Sequence, residues 1–277
     1  MSAWEHEHVD APPPEGTPSW LELNTPDPGR AREFYGALFG WTFEDDLCLL
    51  NGLPIAAIRP LGEGYEGPEW TVFFAADDCD GVAGRVSAAG GRIVRAPYED
   101  GMRGRAALVS DTVGARFGLW QGRELVGTRL VNGYGTFIFN ELYTVEQEKT
   151  HGFYREVFGY RPLRSGGEAD LVRHDSHTVA SIGFPEPAQD EEHLKEIQGS
   201  FRRPGITAWM TYFAVEDATD AVNVLLEAGG QVHTRLYLDA QGQSYEDGVE
   251  ECPWGRIAAV KDPFGTPFRL IEAWDVI

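Results

Sequence analysis

The chain has 277 residues, of which 42% are hydrophobic, and a formal net charge of −21. That length suits two domains of ordinary size, each able to bury its own core. Such a charge repels nucleic acid and anionic membranes and reads first as a source of solubility. No apolar run reaches the ~18 residues of a membrane-spanning helix. Cys48, Cys79 and Cys252 are odd in number and widely spaced, which suits neither a disulfide framework nor a zinc knuckle.

Residues 1–17 hold no apolar signal core and include Pro12, Pro13 and Pro14, so they read as a disordered arm. With no leader and no spanning helix, a cytoplasmic location is expected. His6, Glu7 and His8 lie in that arm, where no metal site can be preorganised. Trp20-Leu21-Glu22-Leu23-Asn24 alternates with period two, as a strand does. Thr25 or Asp27 can cap a following helix, with Pro28 in its first turn. Ala31, Phe34, Tyr35, Leu38 and Phe39 make its apolar stripe, and Gly40 ends it. A hairpin region follows, with a turn at Asn51-Gly52. After a Gly/Pro-rich stretch at 60–68 come a strand at 70–76 and a helix at about 79–89. Val82, Val86 and Ala89 form that helix's inner face. Three more strands end at 117–120, the last two joined by Asp111-Thr112-Val113-Gly114.

The chain then repeats itself. Glu22-Leu23, Thr25, Phe34-Tyr35 and Phe39-Gly40 return as Glu141-Leu142, Thr144, Phe153-Tyr154 and Phe158-Gly159. Trp70, Phe74-Ala75, Asp78 and Ala89-Gly90-Gly91 return as Trp209, Phe213-Ala214, Asp217 and Ala228-Gly229-Gly230. Asp111, Gly114, Phe117 and Leu119 return as Asp262, Gly265, Phe268 and Leu270. Three echoes in one order mean a duplication. The order βαβββ, four times over, predicts an α+β fold of two tandem eight-stranded cup-shaped domains. The expected boundaries are an arm at 1–17, a first domain at 18–122, a linker at 123–135 and a second domain at 136–277. Only the second half has insertions. One lies at 185–204, with a short helix expected near 191–197. The other is a polar loop at 236–253. Tyr237, Tyr245 and the neighbouring Trp254 suit that loop to a lid, so the two cups should differ in access.

The W-x-E-L-x-T-x-D…F-Y…L-F-G-W run, the D-P-x-G…F-x-L end and the four modules resemble the vicinal oxygen chelate superfamily. That is the group of glyoxalases, bleomycin resistance proteins and extradiol dioxygenases, and within it the tandem glyoxalase-like actinobacterial proteins. The resemblance covers about 18–274. It implies metal ligands in metal-dependent members at positions that fall here on Trp20, Thr71 and Gly118, and on Phe139, Met210 and Arg269. None is a good ligand for such an ion, so no metal and no other cofactor is expected.

Strand alternation lines the first cup with Trp20, Glu22, Asn24, Thr71, Phe73, Gly118 and Trp120. It lines the second with Phe139, Glu141, Tyr143, Met210, Tyr212, Arg269 and Ile271. Each aromatic-walled cup then carries one deep carboxylate. Glu22 and Glu141 are the candidate catalytic residues, as general base or as acceptor for a ligand hydroxyl. The competing reading is a carboxylate pinned by backbone amides or by an arginine, such as Arg269 beside Glu141. No cationic strand neighbour of Glu22 is evident, so Glu22 is expected to be the working proton acceptor and Glu141 the paired one. His174, Asp175, Ser176 and His177 read as a solvated hairpin turn.

The function expected is binding of a small aromatic or polyketide-like metabolite, with metal-independent acid/base chemistry such as enolisation, isomerisation or lyase cleavage. A non-catalytic protein that sequesters an antibiotic-like compound is one alternative. A metal-dependent oxygenase or glyoxalase is the other. The partner is a small molecule, not nucleic acid or membrane, and four modules already complete two cups without a second chain.

Overall fold

The computed structural model describes residues 6–144, 146–165, 168–172, 178–183, 207–232, 248–252 and 255–273. In chain order the first half holds β1 (Glu7–His8), β2 (Pro18–Thr25), α1 (Pro28–Phe39), β3 (Thr42–Glu44), β4 (Leu47–Leu50) and β5 (Leu53–Pro60). It continues with β6 (Glu69–Ala75), α2 (Cys79–Ala88), β7 (Arg92–Asp100), β8 (Gly104–Ser110), β9 (Arg116–Gly122) and β10 (Leu130–Val131). The second half holds β11 (Phe137–Thr144), α3 (Gln147–Phe158), β12 (Arg161–Ser165), β13 (Glu168–Val172), β14 (Thr178–Gly183) and β15 (Thr207–Ala214). Then come α4 (Ala218–Glu227), β16 (Gln231–Val232), β17 (Glu250–Cys252), β18 (Gly255–Lys261) and β19 (Pro267–Ala273).

The result is a mixed α/β protein with two large sheets of matching order. One runs β3-β4-β5-β2-β6-β9-β8-β7 and the other β12-β13-β14-β11-β15-β19-β18-β16, with β17 paired to β18. At the centre of each, two first strands pair antiparallel, β2 with β6 and β11 with β15. Parallel pairs flank them, β2 with β5 and β6 with β9, β11 with β14 and β15 with β19. Local chemistry sets the boundaries. Asp27 accepts from the Arg30 amide at 3.0 Å to cap α1, and Pro28 occupies its first turn. Gly40 and Gly159 close α1 and α3 in the left-handed region, at φ 71° and 73°. Asn51 and Gly52, at φ 53° and 76°, turn β4 into β5.

Alternation divides each sheet into two faces. Leu21, Leu23, Val72, Phe74, Phe117 and Leu119 share one large core with the helices and with Leu142, Trp209, Phe213, Phe268 and Leu270 of the other half. The helical faces of the two sheets therefore pack against each other. The duplicated Trp, Tyr and Asp residues meet across that junction. Trp70 Nε1 donates to Tyr35 Oη at 2.8 Å, and Tyr35 donates to Asp262 of the other half at 3.3 Å. In mirror fashion Trp209 donates to Tyr154 at 2.9 Å, and Tyr154 reaches Asp111 at 3.5 Å. Each aspartate also accepts the amides of its own turn, Val113 and Ala115 for Asp111, Phe264 and Thr266 for Asp262.

The arm departs from the expected disorder. β1 pairs antiparallel with β10, Arg129 Nε donates to the Val9 carbonyl at 2.7 Å, and Tyr160 donates to the Gly16 carbonyl. The strand-like pairing arises because the connection between halves lies close enough to offer its free edge. The connection at 123–135 is likewise held down rather than loose. Residues 174–177, the 185–204 insertion and the residues 236–247 lie outside the described part. The described end of the second insertion is strand, since Glu250–Cys252 forms β17. Among the described residues no helix is long and apolar enough to cross a membrane.

Candidate functional site

The other face of each sheet, turned away from the helices, carries the residues singled out from the sequence. On the first sheet Trp20, Phe73 and Trp120 cluster with Ala57 and Ala106. The rings of Trp20 and Trp120 stack with centroids 6.1 Å apart. Leu125, from the connection between halves, completes this cluster. Its carbonyl accepts from Trp120 Nε1 at 3.0 Å, and its amide donates to the Arg103 carbonyl at 3.2 Å. Gly127 permits the approach, since a Cβ there would collide with the Ser19 carbonyl. One residue of the connection between the halves thus packs on the first inner face.

Glu22 lies at the centre of that face and is 2% exposed. It accepts from Trp20 Nε1 at 3.2 Å and pairs with Arg59 of β5 at 3.5 Å. Arg59 also meets Asp46 at 2.9 Å and Asp100 at 2.7 Å, and Arg103 meets Asp46 at 2.7 Å. Asp46 lies in the turn between β3 and β4, and Arg103 in the turn between β7 and β8. The ion pairs therefore join the two edges of the sheet. Burial pushes the Glu22 carboxyl above its usual range, and the Arg59 charge opposes this. At the same end Tyr65 Oη and Thr71 Oγ1 lie 3.2 Å apart. Asn24 is buried, its amide nitrogen without a hydrogen-bond partner among the described residues.

The second inner face is built from the same strands with different chemistry. Tyr143, Met210, Tyr212, Ala259 and Ile271 cluster with Phe139. Tyr212 Oη donates to Glu141 Oε2, and the Tyr143 and Tyr212 hydroxyls are 3.1 Å apart. Phe139 meets the Tyr212 ring edge-on at 5.4 Å. The Arg269 guanidinium lies 6.0 Å from the Tyr143 ring centroid. Burial raises the Glu141 carboxyl, while hydrogen bonds from Tyr143 and Tyr212, and then the Arg269 charge, pull it back.

The partners expected for the two glutamates are exchanged in this geometry. Glu22 has the close arginine, and the strongest partners of Glu141 are phenols. Register explains it. Arg59 stands opposite Asn24, and in the second half Gly183 stands opposite Tyr143. Gly118 stands opposite Phe73, and Arg269 opposite Tyr212. The arginine has changed strand between the halves. The sequence reading missed Arg59 because it is carried by a hairpin strand, although the Ala57–Arg59 alternation placed it on the inner face. It missed Leu125 because no local pattern marks a linker residue as an insertion.

The positions that the family resemblance marks for metal ligands do not suit a divalent ion here. At Gly118 the Phe73 ring occupies the space a ligand side chain would take. Trp20, Thr71, Phe139 and Met210 offer no carboxylate or imidazole, and Arg269 is a buried cation, 2% exposed. Among the described residues no group of three or more His, Cys, Asp or Glu could hold an ion.

The profile of the Glyoxalase/Bleomycin resistance protein/Dioxygenase superfamily matches residues 137–270. The chain is 32% identical to the "Putative glyoxylase CFP32" of Mycobacterium tuberculosis over 278 residues, covering 93% of this chain and 95% of that one. It is 29% identical to the "Anthracycline biosynthesis protein DnrV" of Streptomyces peucetius over 282 residues, covering 93% of each. Among solved structures, a mutant of 4-hydroxymandelate synthase from Streptomyces coelicolor aligns with a TM-score of 0.56 at 16% identity, covering 96% of this chain and 94% of that one. A Mn(II)-bound glyoxalase from Novosphingobium aromaticivorans aligns with a TM-score of 0.52 at 13% identity, covering 95% and 85%. The solved structures share the fold.

Proposed function

Since the chain belongs to the glyoxalase, bleomycin resistance protein and dioxygenase superfamily, we propose that it binds a small aromatic or polyketide-like metabolite and moves a proton on it. In this reading each sheet curls into a cup, over 18–122 and 136–277, and the working cup is the second. Glu141 is the proton acceptor, assisted by Tyr212 and Tyr143. Phe139, Met210 and Ile271 supply apolar wall. The reaction class is enolisation, isomerisation or lyase cleavage, with no metal-bound step.

One observation carries this choice: Glu141 is bonded to phenols, which can pass protons, while Glu22 is neutralised by Arg59 and lies on a face where Leu125 packs. A buried carboxyl with a raised pKa suits general base work near neutral pH. The relative named for anthracycline biosynthesis supports a polycyclic aromatic ligand. The second reading, a protein that only sequesters such a compound, is favoured by the depth of burial of Glu141, at 6% exposed.

The test uses ligand released from freshly purified full-length protein and identified by native mass spectrometry. That ligand is returned to the protein in D2O. Deuterium uptake at a ligand carbon is expected with the wild type and with Glu22→Gln, and not with Glu141→Gln. Ligand binding without uptake in any of the three would leave sequestration as the function. Equal uptake with a folded Glu141→Gln protein would remove Glu141 from catalysis.

A further inference from the structure

At one end of the first inner face, donors are left with protons unspent. Asn24 and Glu22 lie two residues apart on β2, and Thr71 of β6 stands directly opposite Glu22, so the three share one patch. Asn24 is 4% exposed, and its Nδ2 has no hydrogen-bond partner among the described residues. A buried donor in that state costs its desolvation without return. Tyr65 Oη and Thr71 Oγ1 lie 3.2 Å apart, and either can be the donor. Neither makes a further side-chain hydrogen bond among the described residues. Two hydroxyl protons thus share one bond, and one of them is unspent whichever way that bond runs. Trp20 Nε1 and the Arg59 guanidinium are already engaged, by Glu22 and by Glu22, Asp46 and Asp100.

Tyr65 belongs to the connection between β5 and β6, which folds over this end of the face. A Cβ on Gly64 would meet Leu108 of β8 at 2.9 Å and Val94 of β7 at 3.0 Å, and Arg116 of β9 donates to the Gly64 carbonyl. Charge around the patch restricts what can enter. Arg59 and Arg103 face the three carboxylates of Glu22, Asp46 and Asp100. Arg116 pairs with Glu69, and Arg95 with Glu63. No cation among these is left over for an anionic ligand.

We propose that this patch is a second ligand site, separate from the one around Glu141, and that it takes an uncharged molecule through a carbonyl oxygen. Asn24 Nδ2 donates to one lone pair of that oxygen, and the unspent proton of the Tyr65–Thr71 pair goes to the other. The ring that bears the carbonyl lies against Phe73 and Trp20, the apolar part of the same face. Asn24, Glu22 and Thr71 are all buried, so entry requires the connection at 61–68 to lift and Tyr65 to close back over the ligand. Gly62, Gly64 and Gly67 give that connection its freedom to do so. The site binds and breaks no bond.

The test compares 1-indanone, indane and indane-2-carboxylate by equilibrium dialysis against the full chain. The wild type is expected to prefer 1-indanone to indane about tenfold, the size of one good buried hydrogen bond, and to bind the carboxylate no better than indane. In Asn24→Leu the preference for the ketone should fall to about one. The same variant should raise the melting temperature of the ligand-free protein by about 2–4 °C, because an unpaired buried amide gives way to an apolar group of similar volume. Asn24→Asp replaces the donor by an acceptor at nearly constant size and should also lose the preference, so it serves where Asn24→Leu does not fold. Equal binding of 1-indanone and indane by the wild type, or binding of neither, overturns the site. A preference that survives both substitutions, or a melting temperature lowered by Asn24→Leu, overturns the role of Asn24. Tighter binding of the carboxylate than of the ketone overturns the uncharged class. Each of these failures leaves the second-cup reading standing, since that reading is decided by deuterium uptake through Glu141.

Discussion

The two inner faces share strand order, register and a central glutamate, yet they compensate that glutamate in opposite ways. The first uses an arginine from β5 and ties both sheet edges to it through Asp46 and Asp100. The second has Gly183 at that register and surrounds Glu141 with two phenols. A buried carboxylate needs a partner, and the two faces supply it as an ion pair and as phenol hydrogen bonds, while burial raises both carboxyls. The same strand frame thus holds its central glutamate with an ion pair in one copy and with phenol hydrogen bonds in the other.

The largest expected effect comes from removing the arginine that defines the first face. Arg59→Met would leave Glu22 and Asp100 without their arginine, while Asp46 keeps Arg103, and should cost about 3–5 kcal/mol in urea unfolding. Arg269→Met should cost less, because the phenols still bond Glu141. Equal losses would break the comparison at its root. Next in size is Leu125→Ala, expected to cost about 2–4 kcal/mol and to shift tryptophan emission to the red as Trp20 and Trp120 meet water. A loss under about 1 kcal/mol with unchanged emission would show that the linker does not pack on that face.

The junction between the halves should, in contrast, behave symmetrically. Tyr35→Phe and Tyr154→Phe each delete two bonds, one to the other half's aspartate and one from a buried tryptophan Nε1, and should each cost about 2–3 kcal/mol. A clear inequality would mean that only one of the two contacts forms in solution. The smallest effect is a pH dependence. Burial pushes the Asp111 carboxyl up from 3.8 to about 6. A raised carboxyl pKa means the folded state holds the proton more tightly. Its stabilising share is therefore complete below pH 3.8 and lost as pH rises through about 6. The stability difference between wild type and Asp111→Asn should fall across that window and level off above about pH 7. A difference that stays flat would show that folding does not raise the Asp111 pKa.

Much of the architecture was legible from local pattern. Alternation in 20–24 and 70–75 assigned faces that the two separate clusters reproduce. Asp27, Pro28 and Gly40 announced the start and end of α1. The echo of Trp70, Tyr35 and Asp111 in Trp209, Tyr154 and Asp262 was visible as a repeat, though not as a mutual contact. No single module contains both ends of those bonds.

Period-two spacing, caps and turn residues act within a few positions, so the amino-acid order alone indicates most of the described helices and strands, though not β1 and β10, and the sides on which Glu22 and Glu141 lie. The partner of each glutamate depends on which strand lies alongside at what register, and on where a linker comes to rest. Arg59 reaches Glu22 only because β5 pairs parallel with β2, and Leu125 reaches Trp120 only because Gly127 lets the backbone lie against Ser19. Those are long-range contacts between segments far apart in the chain, and only folding decides them.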